Sequence, residues 1–405
     1  MRQASNETKR TRETAMKHSI RVLVVLLALS LFADIRLASG QGWTESGAPT
    51  NSWRAIASSA DGTRLVAAVA GGPIYLSTNS GADWTVSCPF NLSWAGVASS
   101  ADGMKLVAVD DNGHQSQASS VYVSTNGGAG WMPIGAIFEE WEALASSADG
   151  SRLVAGVWTG PIYTSTNSGA SWTECFVPNA YWTSVASSAD GSNLVAVALG
   201  GPVLTSTNAG QTWSQQFSPS ANLKSVACSA DGTKLAATGD DSPIYVSTNA
   251  GTTWTATRTP LREWNCVASS ADGMKLAAVD GIGGPVFTST NAGATWQETG
   301  TPVAQWNSVA YSADGSKLMA AVWNGPIYTW ESAPTLSIAL SGNSLALSWP
   351  SLSSTVGYVL AQNADLTTTN WVSVTNSQAV TNCQNQVSVP LTTGNSFYRL
   401  ILQNP

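Results

Sequence analysis

The residues in this chain best equipped for chemistry are carboxylates and tryptophans. Asp110, Asp111, Glu139, Glu140, Glu142, Asp240, Asp241, Glu263 and Asp280 all fall in short Gly-rich or loop-like stretches. Two such carboxylates flanking a glycosidic bond could serve as acid and as base or nucleophile, the minimum a glycoside hydrolase needs. No spacing singles out a pair, and solvated loop charge is the competing reading. Asp240-Asp241 also offers clustered hard oxygens of the kind a calcium ion takes. Other chemistries are excluded by what is missing. Past residue 40 the chain holds one histidine, His114, so a His-rich zinc site is impossible and a Ser-His-Asp triad would hang on that residue alone. The five cysteines, Cys88, Cys175, Cys228, Cys266 and Cys383, show no CxxC spacing and are odd in number. They read as small buried hydrophobes, not as a disulfide framework or metal site. No cofactor, catalytic residue or metal ligand is assigned.

The elements that must position these residues come from internal repetition. Ser-Ala-Asp-Gly occurs seven times, with its Asp at 61, 102, 149, 190, 231, 272 and 314. Ser-Thr-Asn-x-Gly-x-x-Trp occurs six times, ending at Trp84, Trp131, Trp172, Trp213, Trp254 and Trp296. Each period of about 41 residues reads as four short strands, with Asp-Gly and Asn-x-Gly hairpin turns between apolar runs. Serial four-stranded units of this length predict propeller blades. The step from each box Trp to the following Asp is 18 residues, and Trp43 to Asp61 is also 18. The last repeat has three strands and no box after Tyr328. The segment around Trp43 is therefore expected to supply its fourth strand and close a seven-bladed ring without a free edge.

The second phrase resembles the Asp box, S-x-D-x-G-x-x-W, of sialidases, sortilin-type receptors, xyloglucanases and photosystem II assembly factors. Asn79, Asn126, Asn167, Asn208, Asn249 and Asn291 stand where the box has Asp. An amide oxygen can accept the same turn N–H groups, so the resemblance implies an Asp-box propeller over residues 43–330. It implies little about activity, because the box occurs on enzymes, receptors and assembly factors. Sialidase activity in particular is disfavoured. That activity needs three converging arginines, one from an Arg-Ile-Pro-like motif that this chain lacks. Of six arginines past residue 40, Arg64 and Arg152 sit beside Asp-Gly turns and Arg399 lies near the C-terminus. Only Arg54, Arg258 and Arg262 remain.

In an up-and-down blade the Asp-Gly and Asn-box turns share one face, which repeats without variation. Length and residue variation fall on the other face, which carries the second-to-third-strand loops and the blade-to-blade connections. Binding is expected there. The six extra residues of the second blade lie in 110–117, and the one extra residue of the sixth lies around 280–283. Trp53, Trp94, Trp141, Trp182, Trp264 and Trp306 each follow a box Trp by ten residues, with Leu223 as the exception. They read either as blade-to-blade packing or as an aromatic rim for a sugar or peptide. Trp158 and Trp323 occupy Trp-x-Gly-Pro loops of blades three and seven only. The ligand-binding candidates are Trp158, Trp323, Trp141, Trp182, Trp264 and Trp306.

A basic stretch, an apolar run from Val22 to Ala33 and Ala38-Ser39-Gly40 give residues 1–40 the form of a cleaved signal peptide. Secretion, extracellular or periplasmic, is the expectation, with no membrane insertion after cleavage. Removing 1–40 leaves 11 basic and 22 acidic residues, a net charge of −11. That balance disfavours nucleic acid as a partner. A monomer binding an extracellular glycan or protein is expected, and a propeller-type glycoside hydrolase or lyase acting through loop carboxylates is the alternative. Residues 332–405 leave the repeat. Their alternating runs, such as Leu336-Ile338-Leu340 and Leu345-Leu347-Trp349, suggest a small β-sandwich-like module similar to fibronectin type III. The fold class is thus all-β, with a signal peptide at 1–40, a seven-bladed propeller at 41–331 and the small module at 332–405.

Overall fold

The computed structural model describes residues 42–111, 121–134, 139–217, 219, 221–332, 336–341, 344–350, 358–365, 368–374, 379–381, 384–390 and 396–402. The signal-like segment, His114 and Cys383 lie outside them. The described elements are all β-strands.

Seven blades follow one another in antiparallel register. The fourth is representative: Trp182–Ser187, Leu194–Ala198, Val203–Ser206 and Ser214–Phe217 pair in that order. In the first blade the second and third strands merge in Leu65–Ser77, and its outer strand runs on into the next blade as Thr85–Ser99. The last blade joins Trp306–Tyr311, Lys317–Val322 and Ile327–Glu331 to the N-terminal pair Thr44–Glu45. Thr44 faces Thr329, and Glu45 faces Tyr328. The register argument therefore holds, and the ring closes through its own N-terminal strand.

Closure is also written in the backbone at the hairpin end of the inner strands. Each Ser-Ala-Asp-Gly alanine donates its N–H to the alanine carbonyl of the next blade. The chain of bonds runs Ala60 to Ala101, Ala148, Ala189, Ala230, Ala271 and Ala313, and Ala313 returns to Ala60 at 2.7 Å. Seven apolar clusters alternate with this ring, one between each pair of neighbouring blades, including the seventh and the first. Each contains one inner-strand Trp, except that between blades four and five, where Leu223 stands instead. There Phe217 lies nearly parallel to Trp254, with centroids 5.9 Å apart, and fills the space the smaller residue leaves.

The turn face is occupied by its own hydrogen bonds. Asp190 accepts from the Ser188 hydroxyl and from Ser192 N–H and Oγ, and these donors hold its carboxyl down at about 2. Gly191 takes φ +70, while the Asp stays right-handed, so the strained residue of this turn is the glycine alone. In the Asn turns the amide makes the bonds a carboxylate would make with one direction reversed. Asn208 Oδ1 accepts from Thr212 N–H, and Nδ2 donates to Thr212 Oγ1, where a carboxylate would accept from the hydroxyl. In the first blade the acceptor of that amide is the Asp83 carboxylate, beside which a second carboxylate would be repelled.

Residues 336–402 hold two further sheets. One pairs Ser337–Ser341, Ser344–Pro350, Gln384–Pro390 and Ala379–Thr381; the other pairs Val372–Ser373, Tyr358–Asn363 and Phe397–Leu402. Leu347, Trp349, Val387 and Val389 from the first meet Leu360 and Tyr398 from the second in one core. This is a small β-sandwich.

Candidate functional site

The site is built on the inner strands, where they begin on the loop face. In all seven blades the inner strand carries a β-bulge at its second residue. The register slips between Trp53 and Ala55, Trp94 and Gly96, Trp141 and Ala143, Trp182 and Ser184, Leu223 and Ser225, Trp264 and Cys266, and Trp306 and Ser308. A bulge leaves one residue outside the ladder and re-aims its side chain. The seven bulged residues are Arg54, Ala95, Glu142, Thr183, Lys224, Asn265 and Asn307, two of them cationic and two of them Asn. The rest of each inner strand varies less, mostly among small residues at its third position.

All but Ala95, which is buried between blades two and three, make polar contacts to another blade. Arg54 Nη2 lies 2.5 Å from Glu142 Oε1, joining blades one and three across the small Ala95 of blade two. Thr183 Oγ1 donates to the Leu223 carbonyl at 2.8 Å, and Lys224 Nζ reaches Asn265 Oδ1 at 3.3 Å. Asn265 Nδ2 donates to the Trp306 carbonyl, and Asn307 Nδ2 to the carbonyls of Trp53 and Arg54. Lys224 also pairs with Asp240 at 2.5 Å. Burial pushes the Glu142 carboxyl up, Arg54 pulls it back, and the nearby Asp111 charge raises it again.

Outside the bulges, the expected tryptophans divide into two groups. Trp141, Trp182, Trp264 and Trp306 are all 0% exposed and are closed to any stacking ligand. They pack between blades, as Trp53 and Trp94 do. The indole N–H of five inner-strand tryptophans crosses to the previous blade's loop carbonyl: Trp53 to Gly325, Trp94 to Gly72, Trp182 to Gly160, Trp264 to Ser242 and Trp306 to Gly284. Trp141 is as buried, but its Nε1 has no hydrogen-bond partner among the described residues. The loop glycines have no room for more. A Cβ on Gly160 would sit 2.5 Å from Val157 Cγ1. An aromatic rim of four tryptophans is therefore corrected to blade-to-blade packing. Sequence period alone cannot say whether a repeated aromatic points between blades or outward.

Trp158 and Trp323 are different. Their backbone N–H groups donate to the Glu140 and Gln305 carbonyls, which holds both at the loop rim. Trp158 is half-buried and meets Tyr181 edge-on at 5.1 Å; Tyr181 is 49% and Trp323 38% exposed. Further apolar side chains stand in solvent on the same face: Phe90, Phe176, Leu261, Ile282 and Val303.

The loop carboxylates are mostly committed to structure. Asp280 is 1% exposed, bonded to Arg262 at 2.7 Å, and its other oxygen accepts from Ile282 N–H, so it organises the lengthened loop of the sixth blade. Asp110 occupies the same register in the other lengthened blade and is equally buried. Glu139 accepts from Tyr163 Oη. Among the described residues no group of three or more His, Cys, Asp or Glu side chains converges as a metal site. The arginines do not converge either. Arg64 and Arg152 lie under the glycines of the next blade's turns, and Arg399 covers the Trp371 ring at 4.1 Å. Cys228 is buried so deeply that its thiol is pushed up to about 12, and Cys266 stands where neighbouring blades have Ser.

The bulged ring is the part of the site that the sequence reading missed. Its signal is the residue after each inner-strand Trp or Leu223, which takes six different identities over seven blades.

No family model and no curated protein matches the chain. Solved structures do. YCF48 from Cyanidioschyzon merolae is 16% identical, with a TM-score of 0.57 over 71% of this chain and 98% of that one. The GH74 enzyme of Niastella koreensis is 14% identical, with a TM-score of 0.60 over 77% of this chain and 59% of that one. The GH74 xyloglucanase of Xanthomonas campestris is 14% identical, with a TM-score of 0.57 over 77% and 60%. The chain is thus an all-β protein with a propeller fold, similar in shape alone to YCF48 and to the two GH74 proteins.

Proposed function

We propose that the mature chain is a secreted, non-catalytic binding or scaffold propeller that takes a glycan or protein ligand on its loop face. The carrying observation is the ring of seven bulges. A repetitive scaffold leaves one bulged position per blade with differing side chains, and six of the seven, all but the buried Ala95, make polar contacts to another blade on this face. Trp158, Tyr181 and Trp323 add exposed aromatic surface to that face, while the opposite face is consumed by its own turns. The carboxylates support binding over turnover, because Glu142, Asp240 and Asp280 are held in ion pairs.

One observation favours a glycoside hydrolase or lyase as the second reading. Glu142 is a desolvated carboxyl with a raised pKa beside the Asp111 charge, the environment of a general acid. The test is to incubate the mature chain with a panel of plant and bacterial polysaccharides and measure new reducing ends. No turnover is the expected result. Turnover that disappears in Glu142→Gln would overturn the binding reading. Trp158→Ala and Trp323→Ala should each weaken binding of a ligand by about tenfold, the loss of one aromatic contact's worth of buried surface.

A further inference from the structure

We infer that the occupant of the loop face is a polypeptide segment carrying basic and aliphatic side chains; this deepens the binding reading and rests on it. The apolar surface is the first ground. Leu261, Ile282 and Val303 are 68%, 63% and 75% exposed, and with Trp323 they lie on successive loops of the same rim. The backbone ties these loops together. Ser242 bridges to Arg262, Gly281 N–H donates to the Glu263 carbonyl, Gly284 bridges to Ala304, and Trp323 N–H donates to the Gln305 carbonyl. The four side chains therefore stand on loops tied in series over blades five to seven. Exposed apolar side chains gathered on one face mark an interaction site.

The shape of that surface discriminates between ligands. A sugar stacks its C–H face on a flat aromatic ring and hydrogen-bonds around the ring's edge. Trp323 offers one such ring, but the three aliphatic side chains beside it provide neither feature. They suit the apolar side chains of a polypeptide.

Charge is the second ground, and it is independent of the first. The described loop face carries Asp110, Asp111, Glu139, Glu140, Glu142, Asp240, Asp241, Glu263 and Asp280 against Arg54, Lys224, Arg258 and Arg262. Three of those four cations are already spent on carboxylates within the face. The face is net negative, and the largest excess lies around Asp111, Glu139, Glu140 and Glu142, beside the Trp158–Tyr181 pair. An acidic surface next to exposed aromatic rings attracts Lys and Arg side chains by Coulomb and cation–π terms together. It repels uronates and acidic peptides. A segment with basic residues over the third blade and aliphatic residues over blades five to seven satisfies both halves.

The test is to pan a phage-displayed random dodecapeptide library on the immobilised mature chain, in parallel with the Ile282→Ser/Val303→Ser double variant and with Gln211→Ser on the turn face. All three substituted side chains are exposed, so the variants should fold. The expected result is enrichment of clones rich in Lys or Arg with Leu, Ile, Val or Phe. The matching synthetic peptide should bind the parent and Gln211→Ser equally, and the double variant about tenfold more weakly. Its affinity should fall as NaCl rises from 50 to 500 mM, as the charge term is screened. Enriched clones that are acidic, or that bind the double variant as well as the parent, overturn the inference. Oligosaccharide binding lost in Trp158→Ala but indifferent to the double variant overturns the polypeptide occupant and leaves loop-face binding standing. If neither peptides nor oligosaccharides bind at millimolar concentration, both readings fall.

Discussion

Trp53 and Trp141 make a matched pair that isolates one hydrogen bond. Both are 0% exposed. Trp53 meets Tyr75 edge-on at 5.4 Å and Trp84 at a 41° tilt; Trp141 meets Tyr163 at 5.4 Å and Trp172 at the same 41°. They differ at the indole N–H, which reaches Gly325 O at 3.0 Å from Trp53 and has no partner among the described residues on Trp141. Replacing each with Phe removes the same volume and keeps an aromatic ring, so the packing loss is common to both and cancels. Trp53→Phe additionally loses a buried bond, costing about 1 kcal/mol, while the Gly325 carbonyl keeps the Asn51 N–H. Trp141→Phe removes an unpaired buried donor and recovers a similar amount. The two variants should differ by about 2 kcal/mol, or on the order of 5 °C in the thermal midpoint of a domain this large. Differential scanning calorimetry on the mature chain measures it. Equal shifts would refute the idea that the indole-to-loop bonds clamp neighbouring blades.

Other outcomes follow from the same geometry. Gly160→Ala forces a Cβ to 2.5 Å from Val157 Cγ1 and should cost about 1–3 kcal/mol by overpacking, read as a lowered denaturation midpoint. Arg54→Ala leaves Glu142 without its counter-ion, so its carboxyl should rise further. A raised carboxyl means the folded state holds its proton longer than the unfolded state, so stability is greatest below the ordinary glutamate pKa and falls as pH rises through the raised value. The Arg54→Ala midpoint should therefore drop more steeply between pH 4.5 and 7 than the parent's, and Glu142→Gln should flatten the slope. The turn aspartates act in the opposite sense. Asp190 and Asp231 are held down at about 2 by hydroxyl and backbone donors, so their contribution is full above the ordinary aspartate value and is lost as pH falls through about 2. Asp190→Asn should weaken that acid-side slope in a pH series of melting curves.

Much of the ring was legible because its physics is local and repeated. Asp-Gly and Asn-x-Gly turns mark hairpins, and the constant step from Trp to Asp placed Thr44–Glu45 as the missing outer strand. The site was less legible. Trp158 and Trp323 stood out because they break the repeat, and the structure leaves both at the rim with exposed ring surface. Trp141, Trp182, Trp264 and Trp306 obey the repeat, and an aromatic that every blade needs is one the fold itself uses. The bulges were hidden for a different reason. A bulge adds no residue to the repeat length and changes no hydrophobic period, so nothing in the pattern announces that Arg54 or Glu142 leaves the ladder and reaches another blade. Asp280 misled in the other direction, since a loop carboxylate in sequence proved to be a buried partner of Arg262.

The claim that function resides on the loop face is tested most directly by amide hydrogen exchange on the mature chain, with and without a saturating bound ligand. Protection should appear at residues 139–142, 158–160, 281–284 and 323–325, with the Asp-Gly turns from Asp61 to Asp314 unchanged. Protection confined to those turns, with the loop face exchanging as in the free protein, would contradict the account.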